Sequence, residues 1–320
     1  MTHLPVLVPA EILPPALCAE IDEALALAQR EKAEATRRAY AADWRIFESY
    51  CTSRGLVHLP AAPATVAAFL AAQNLTGAKP STIGRRVAAI LHAHKSANAP
   101  SPTDDDRVRA VMRGIRRSRG IAPTKKLPTA APILLAMCAN AGDRLASLRD
   151  RAILLLGFSI AARRSELVGL DVSDVRFTDQ GAVVTIRRSK TDQEGAGADV
   201  AVPFGTVACP VNALRAWLTA AGIETGPIFR PVGKGGRVGT QRLSSASVAT
   251  VVKTHAARLG LDPRSFGGHS LRAGFVTSAD ERGASIFKIM DVTRHKSVDT
   301  LRGYVRNAEL FRDHAGQGLL

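Results

Sequence analysis

The sequence predicts a mainly α-helical protein with one small β-hairpin or sheet, organised as two domains around a basic, proline-bounded linker. Three observations carry this. Apolar residues recur at helical spacing through the first third of the chain. Pro123 and Pro128 interrupt helix just after a run of arginines. Two β-like runs, Val183 to Arg187 and Val200 to Phe204, face each other across a turn rich in Gly and Asp. At 320 residues the chain is long enough for two cores, since one core usually covers about 100–200 residues.

Taken in order, the first helix follows Pro14-Pro15, with Leu17, Ile21, Leu25 and Ala28 as its apolar stripe. A second stripe, Tyr40, Trp44, Phe47 and Cys51, lies behind Thr36, whose hydroxyl suits a helix cap. Val66 to Leu75 reads as a third helix. The fourth runs from Ser81 to His94, with Ile83, Val87 and Ile90 turned inward and Arg85, Arg86 and Lys95 outward. Asp104-Asp105-Asp106 opens a fifth, because carboxylates suit the positive end of a helix. That helix carries Arg107, Arg109, Arg113, Arg116, Arg117 and Arg119. The first domain is therefore bounded at residues 1–122 and the linker, with Lys125 and Lys126, at 123–131.

The second domain spans 132–320. Ile153 to Ile160 forms a very apolar helix ending near Arg163, and Ser165 to Leu170 a short one after it. Beyond the hairpin, helices resume at Pro210–Ala220, Ser245–Leu259, Leu271–Glu281 and Ile286–Asp291.

Charge narrows the function. With 43 Lys and Arg against 28 Asp and Glu, the net charge is +15, and such a field captures polyanions. Nucleic acid is the leading partner; an anionic membrane surface is the weaker one. The cations between Arg107 and Lys126 would track a phosphate backbone, the alternative being a solvated basic face. No apolar run reaches the roughly 18 residues that span a bilayer, and Met1–Pro9 lacks the basic and apolar regions of a signal peptide. A cytoplasmic, nucleoid-associated protein is expected. Cys18, Cys51, Cys138 and Cys209 show neither zinc-ligand nor disulfide spacing, so they read as reduced, mostly buried thiols.

Tyr304, the last of three tyrosines, follows the His269-x-x-Arg272 pair and His295 in this basic chain. A phenol is a poor nucleophile near neutral pH, so its attack on a phosphodiester needs fixed cations on the phosphate oxygens and a placed proton acceptor. Arginine and histidine supply them. Each residue also has an ordinary reading. Arg163 could cap carbonyls or pair with Glu166, His269 could sit in a turn, Arg272 and Lys190 could be solvated charges, and Tyr304 could be filler.

The stretches Ala162-Arg-Arg-Ser-Glu-Leu167, Ser189-Lys-Thr-Asp192, Gly268-His-Ser-Leu-Arg272 and His295 with Tyr304 nine positions on resemble, in order, the tyrosine recombinase (phage integrase) family. These motifs span about 130 to 310. Thr36-Arg-Arg-Ala-Tyr40 and Asp43-Trp44 are similar to its all-helical, core-binding domain, and Gly268-His-Ser, Val111 to Arg116 and Tyr304-Val-Arg-Asn307 to its Cre-like branch. His295 departs from Cre, which has tryptophan there, and Arg294 stands where many integrases carry glycine.

The resemblance implies a helical DNA-clamp domain joined to an α+β catalytic domain. It implies that Tyr304 attacks the scissile phosphorus, leaving a 3′-phosphotyrosyl bond and a free 5′-hydroxyl, with no ATP, metal or other cofactor. Arg163 and Arg272 would hold the non-bridging oxygens and His269 would take or relay the phenolic proton. His295 would donate a hydrogen bond to the phosphate, and Lys190 would protonate the departing oxygen. Glu166 would orient the site. The partner would be double-stranded DNA with a specific site, bound as a homotetramer through exchange of the segment after Asn307, with no membrane. Arg85, Arg86, Arg113, Arg116, Arg117, Lys125 and Lys126 are candidate DNA contacts, as are Lys253 and Arg258. Two rival functions stay open: a catalytically silent DNA-binding relative, and a type IB topoisomerase-like relaxing enzyme.

Overall fold

In the computed structural model, residues 17–120, 126–187, 197–295 and 297–298 are described. The chain divides into two compact units, residues 1–124 and 125–320. Among the described residues the protein is helical apart from one three-stranded antiparallel sheet.

The first unit holds helices α1 (Cys18–Arg30), α2 (Glu34–Thr52), α3 (Pro63–Leu75), α4 (Pro80–Ser96) and α5 (Asp106–Arg119). Thr36 is not the cap of α2. The helix starts at Glu34, with Ala33 as its N-cap and no side-chain capping bond, so Thr36 lies in the first turn. Proline opens α3 and α4, where a missing N–H costs nothing. Asp105 caps α5, its carboxylate accepting the Arg107 N–H. Trp44, Phe47, Phe69, Leu70, Ile83, Ile90, Met112 and Ile115 fill the core. His94 is wholly buried there, its Nε2 accepting the Ala61 N–H at 2.9 Å.

The second unit begins with α6 (Ala131–Ala139), a helix not anticipated from the sequence, followed by α7 (Leu145–Ser159) and α8 (Arg164–Gly169). Helix α7 starts well before the apolar run that betrays it, because the charged Arg149, Asp150 and Arg151 in its first half lie outside that run. Strands β1 (Val175–Phe177), β2 (Gly181–Ile186) and β3 (Ala198–Pro203) form the sheet in that order, with Val184 opposite both Val175 and Val200. The hairpin is thus β2–β3. The extra strand β1 is too short to show alternation.

Helices α9 (Pro210–Ala221), α10 (Ser245–Arg258), α11 (Ser270–Glu281) and α12 (Ile286–Thr293) complete the unit. Helix α7 is its axis: Ile153, Leu154, Leu155 and Leu156 are buried among Trp217 of α9, Val252 of α10 and Leu271 of α11. Helix α11 is also pinned to the segment that leads into α6. The Thr129 N–H donates to Ser270 O and the Ala131 N–H to Ser278 Oγ, both at 2.8 Å. A Cβ on Gly274 would lie 1.9 Å from Thr129 O, so only glycine admits this approach. No helix among the described residues is long and apolar enough to cross a membrane.

Candidate active site

The C-terminal end of α7, the N-terminal end of α11 and the C-terminal end of α12 meet at one place. After α7 the chain turns through Ala161, at a φ of 46°, into Arg163, the N-cap of α8. The Arg163 N–H donates to Glu166 Oε2 at 2.9 Å, and its Nη1 to Oε1 at 2.6 Å. Arg294 Nη2 donates to Glu166 Oε2 at 2.8 Å. One buried carboxylate therefore aligns two guanidinium groups. Burial pushes its carboxyl up, but the hydrogen bonds from Arg163 and the charges of Arg294 and Arg163 outweigh this and hold it below the usual range.

Arg272, in the first turn of α11, is 1% exposed. Its Nη1 donates to Ala161 O at 2.7 Å, and its Nη2 to Thr293 O and to His295 Nε2, the latter at 3.1 Å. A guanidinium has no acceptor, so Nε2 accepts and the ring proton sits on Nδ1. Nδ1 lies 2.7 Å from Thr293 Oγ1, which donates to Ile289 O. Burial and then the charge of Arg272 push His295 down to about 4. His269 is lowered by burial first and by Arg272, Arg163 and Arg164 after it. Both imidazoles are neutral near pH 7, the state a proton acceptor needs.

The structure thus brings together Arg163, Glu166, His269, Arg272 and His295, drawn from three separated stretches of sequence. Lys190 and Tyr304, like Lys125, lie outside the described residues. Arg294, Thr293 and Ala161 were not picked out as site residues. The available signal was Arg294 at a position suited to glycine: it caps α12 in the left-handed region, at a φ of 57°. Among the described residues no three His, Cys, Asp or Glu side chains gather as metal ligands.

The candidate DNA contacts fall into two groups. Arg85 grips the buried carboxylate of Asp43 through Nε at 2.6 Å and Nη2 at 3.1 Å. Arg86 is 14% exposed, bonded to Gln73 and 3.6 Å from Asp43. These two tie α4 to its neighbours in the first unit rather than standing free on a solvated face. Arg113, Arg116 and Arg117 are exposed on α5, opposite buried Val108, Met112 and Ile115. Lys126 Nζ donates to Arg264 O, Arg258 Nη1 to Ala141 O at 3.4 Å, and Lys253 is exposed.

The sequence matches the model of the phage integrase family over residues 130–310. It is also 40% identical over 295 residues to an integrase/recombinase xerD homolog of Selenomonas ruminantium, covering 90% of this chain and 86% of that protein. The chain belongs to the phage integrase family, whose members are tyrosine recombinases. It is 30% identical to the tyrosine recombinase XerC of Mycobacterium sp. strain KMS, over 88% of this chain and 91% of that one. Recombinase cre of Escherichia phage P1 is 25% identical over 83% of this chain and 82% of its own. The Cre-like details therefore sit in a chain with more identity to a xerD homolog. The fold is shared with a lambda integrase(75-356) dimer bound to a COC' core site, at a TM-score of 0.61 and 18% identity, covering 90% of this chain and 94% of that one. XerH site-specific recombinase bound to difH substrate in a pre-cleavage complex gives a TM-score of 0.58 at 19% identity, over 83% and 74%.

Proposed function

We propose that this tyrosine recombinase cuts and rejoins duplex DNA at a specific site, with Tyr304 as nucleophile and no ATP or metal. The observation that carries the reading is the gathering of Arg163, Arg272, His269 and His295 at the meeting of three helix ends. Such fixed donors stabilise charge that develops on a phosphorane and need no reorganisation during the reaction.

The steps balance as one ester replacing another. The Tyr304 oxygen forms a bond to phosphorus, His269 accepts the phenolic proton, and the bond to the 5′-oxygen breaks as Lys190 supplies a proton to it. A 5′-hydroxyl from the partner duplex later reverses the exchange. Arg163 and Arg272 present planar forks to the two non-bridging oxygens. His295 needs one further change, since its Nε2 now accepts from Arg272. A phosphate anion on Arg272 supplies the negative charge that favours the imidazolium, and the ring then becomes a donor.

Residues 1–122 act as the DNA clamp in this reading, with Arg113, Arg116 and Arg117 on phosphates, and residues 132–320 carry catalysis. Four protomers assemble on two synapsed duplexes by cyclic exchange of the segment after Asn307. The protein acts in the cytoplasm on the nucleoid. The test is a nicked suicide duplex taken from the DNA flanking the gene. Wild type accumulates a covalent protein–DNA adduct, and Tyr304→Phe binds the same duplex without forming one. An adduct formed by Tyr304→Phe removes the reading.

A further inference from the structure

Gly268 immediately precedes His269, and its φ lies outside the left-handed region, so the backbone there does not ask for glycine. Space does. A Cβ built on Gly268 would lie 2.1 Å from Arg164 Cδ and 2.3 Å from Cγ, which is the middle of the stem and not its flexible tip. The Arg164 side chain is laid across the bare backbone of the loop that carries His269. Next to it, a Cβ on Gly267 would lie 3.9 Å from Lys126 Cγ, so two basic stems cross the glycine pair.

The two consecutive arginines at the start of α8 are placed for different tasks. Arg163 is drawn inward onto Glu166 and keeps 19% of its side-chain surface. Arg164 is exposed, and its guanidinium has no hydrogen-bond or ion-pair partner among the described residues. An ordinary solvated arginine would not need a glycine opposite its stem. The charge also reaches the site, as Arg164 is among the cations that disfavour protonation of His269. A guanidinium held beside the reacting centre, with its donors unused by any described residue, fits an anion supplied by the substrate.

We propose that Arg164 is a further substrate-binding residue: seated on Gly268, it holds the DNA backbone phosphate adjacent to the one that is cleaved. The inference rests on the recombinase reading above. It fixes the strand on one side of the scissile group, so that the phosphorus cannot slide relative to Arg163, Arg272 and His269. Restricting that motion raises the fraction of bound complexes with reacting atoms in line.

The variant that tests this is Arg164→Met, which keeps an unbranched stem over Gly268 and removes the charge. Once the trapped adduct has mapped the cleaved phosphate, suicide duplexes carry one uncharged methylphosphonate at either neighbouring position. Arg164→Met lowers the rate of adduct formation about tenfold, the scale of one charge-assisted hydrogen bond. One methylphosphonate slows wild type by a similar factor and leaves Arg164→Met no slower than it already is, and Arg164→Lys recovers part of the loss. Equal slowing of wild type and Arg164→Met by both methylphosphonates, or an unchanged rate in Arg164→Met, overturns the proposal. A wild type that forms no adduct on any nicked duplex instead defeats the recombinase reading. In that event the salt dependence of binding to a 40-base-pair mixed-sequence duplex still decides on Arg164, whose loss lowers the slope by about one. An unchanged slope then overturns it.

Discussion

Ala161 and Arg294 hold left-handed backbone without being glycine, at φ values of 46° and 57°, and both belong to the candidate active site. Ala161 turns its carbonyl to Arg272 Nη1, and Arg294 turns its guanidinium to Glu166. Each conformation costs on the order of 1–2 kcal/mol for a residue with a Cβ, and the site's hydrogen bonds offset it. For Arg294 the backbone and side-chain contributions can be separated. Arg294→Gly and Arg294→Ala both take one of two donors from Glu166 Oε2, leaving it only the Arg163 N–H, and so loosen the Glu166–Arg163 pair and slow cleavage by about tenfold. Arg294→Gly is the more stable of the two by about 1 kcal/mol, because only alanine retains the strain. Thermal melts of the pair check the second statement and adduct formation the first; equal melting temperatures remove the strain argument.

His295 carries a pH signature of the same site. Its affinity for protons is depressed from 6.5 in the ordinary ring to about 4 by burial and then by Arg272. Between those values the unfolded chain binds a proton that the folded chain refuses, so stability present above about 6.5 is lost as the pH falls toward 4. Wild type therefore loses melting temperature from pH 7 to pH 4.5 more steeply than His295→Gln, which has no such proton to take up. The other histidines are common to both proteins and cancel in the comparison. Parallel slopes would show that the ring is not held neutral by its surroundings.

At the scale of elements, Arg85 and Arg86 show where sequence alone falls short. Helical spacing places both outward on α4, and nothing local reveals that Asp43, from a different helix, is buried within their reach. Long-range pairing is invisible to periodicity. The same limit hid α6, whose nine residues are apolar on all sides and lack a stripe, and the three-residue β1. By contrast the start of α5 and its basic residues were legible, and the structure adds its end and its apolar face. The aspartates mark its cap, the apolar residues a single face, and the arginines everything else. His269 and Arg272 were readable as neighbours because a helix starting at Ser270 puts them within one turn. Their meeting with Arg163 and His295 depended on α7 packing against α11, which only the fold supplies. The contrast between α4 and α5 makes a prediction. Replacing Arg113, Arg116 and Arg117 together by Gln leaves the melting temperature within about 2 °C, as befits exposed groups without partners among the described residues. It lowers the salt slope of DNA binding by two to three, at about 0.9 per phosphate contact. Replacing Arg86 by Gln strips a partner from buried Asp43 and shows in the melt first.

For the whole molecule, the two units have separate cores, one built on Trp44, Phe47, Phe69 and Ile90 and the other on α7 and Trp217. Each has its own apolar core, as a unit that folds alone requires, and the chain between them is rich in prolines and cations. Covalent linkage then matters for binding more than for folding. When one unit is seated on a duplex, the tether holds the other at an effective concentration set by its length, of order millimolar for a short linker. With both units gripping the duplex as proposed, the combined affinity exceeds that of either unit by about 10²–10⁴ with no contact between them required. A chain of residues 125–320 should therefore melt cooperatively, keep the Arg163, Arg272 and His269 arrangement, and bind duplex DNA weaker by that factor. Adding residues 1–124 as a separate chain at micromolar concentration should not restore the loss, because it lies far below the tethered value. Titration of labelled duplex by fluorescence anisotropy separates the outcomes. Full affinity in the isolated unit would mean that the first unit contributes no grip on DNA, and restoration by the separate chain would mean that the units bind each other rather than merely sharing a strand of polypeptide.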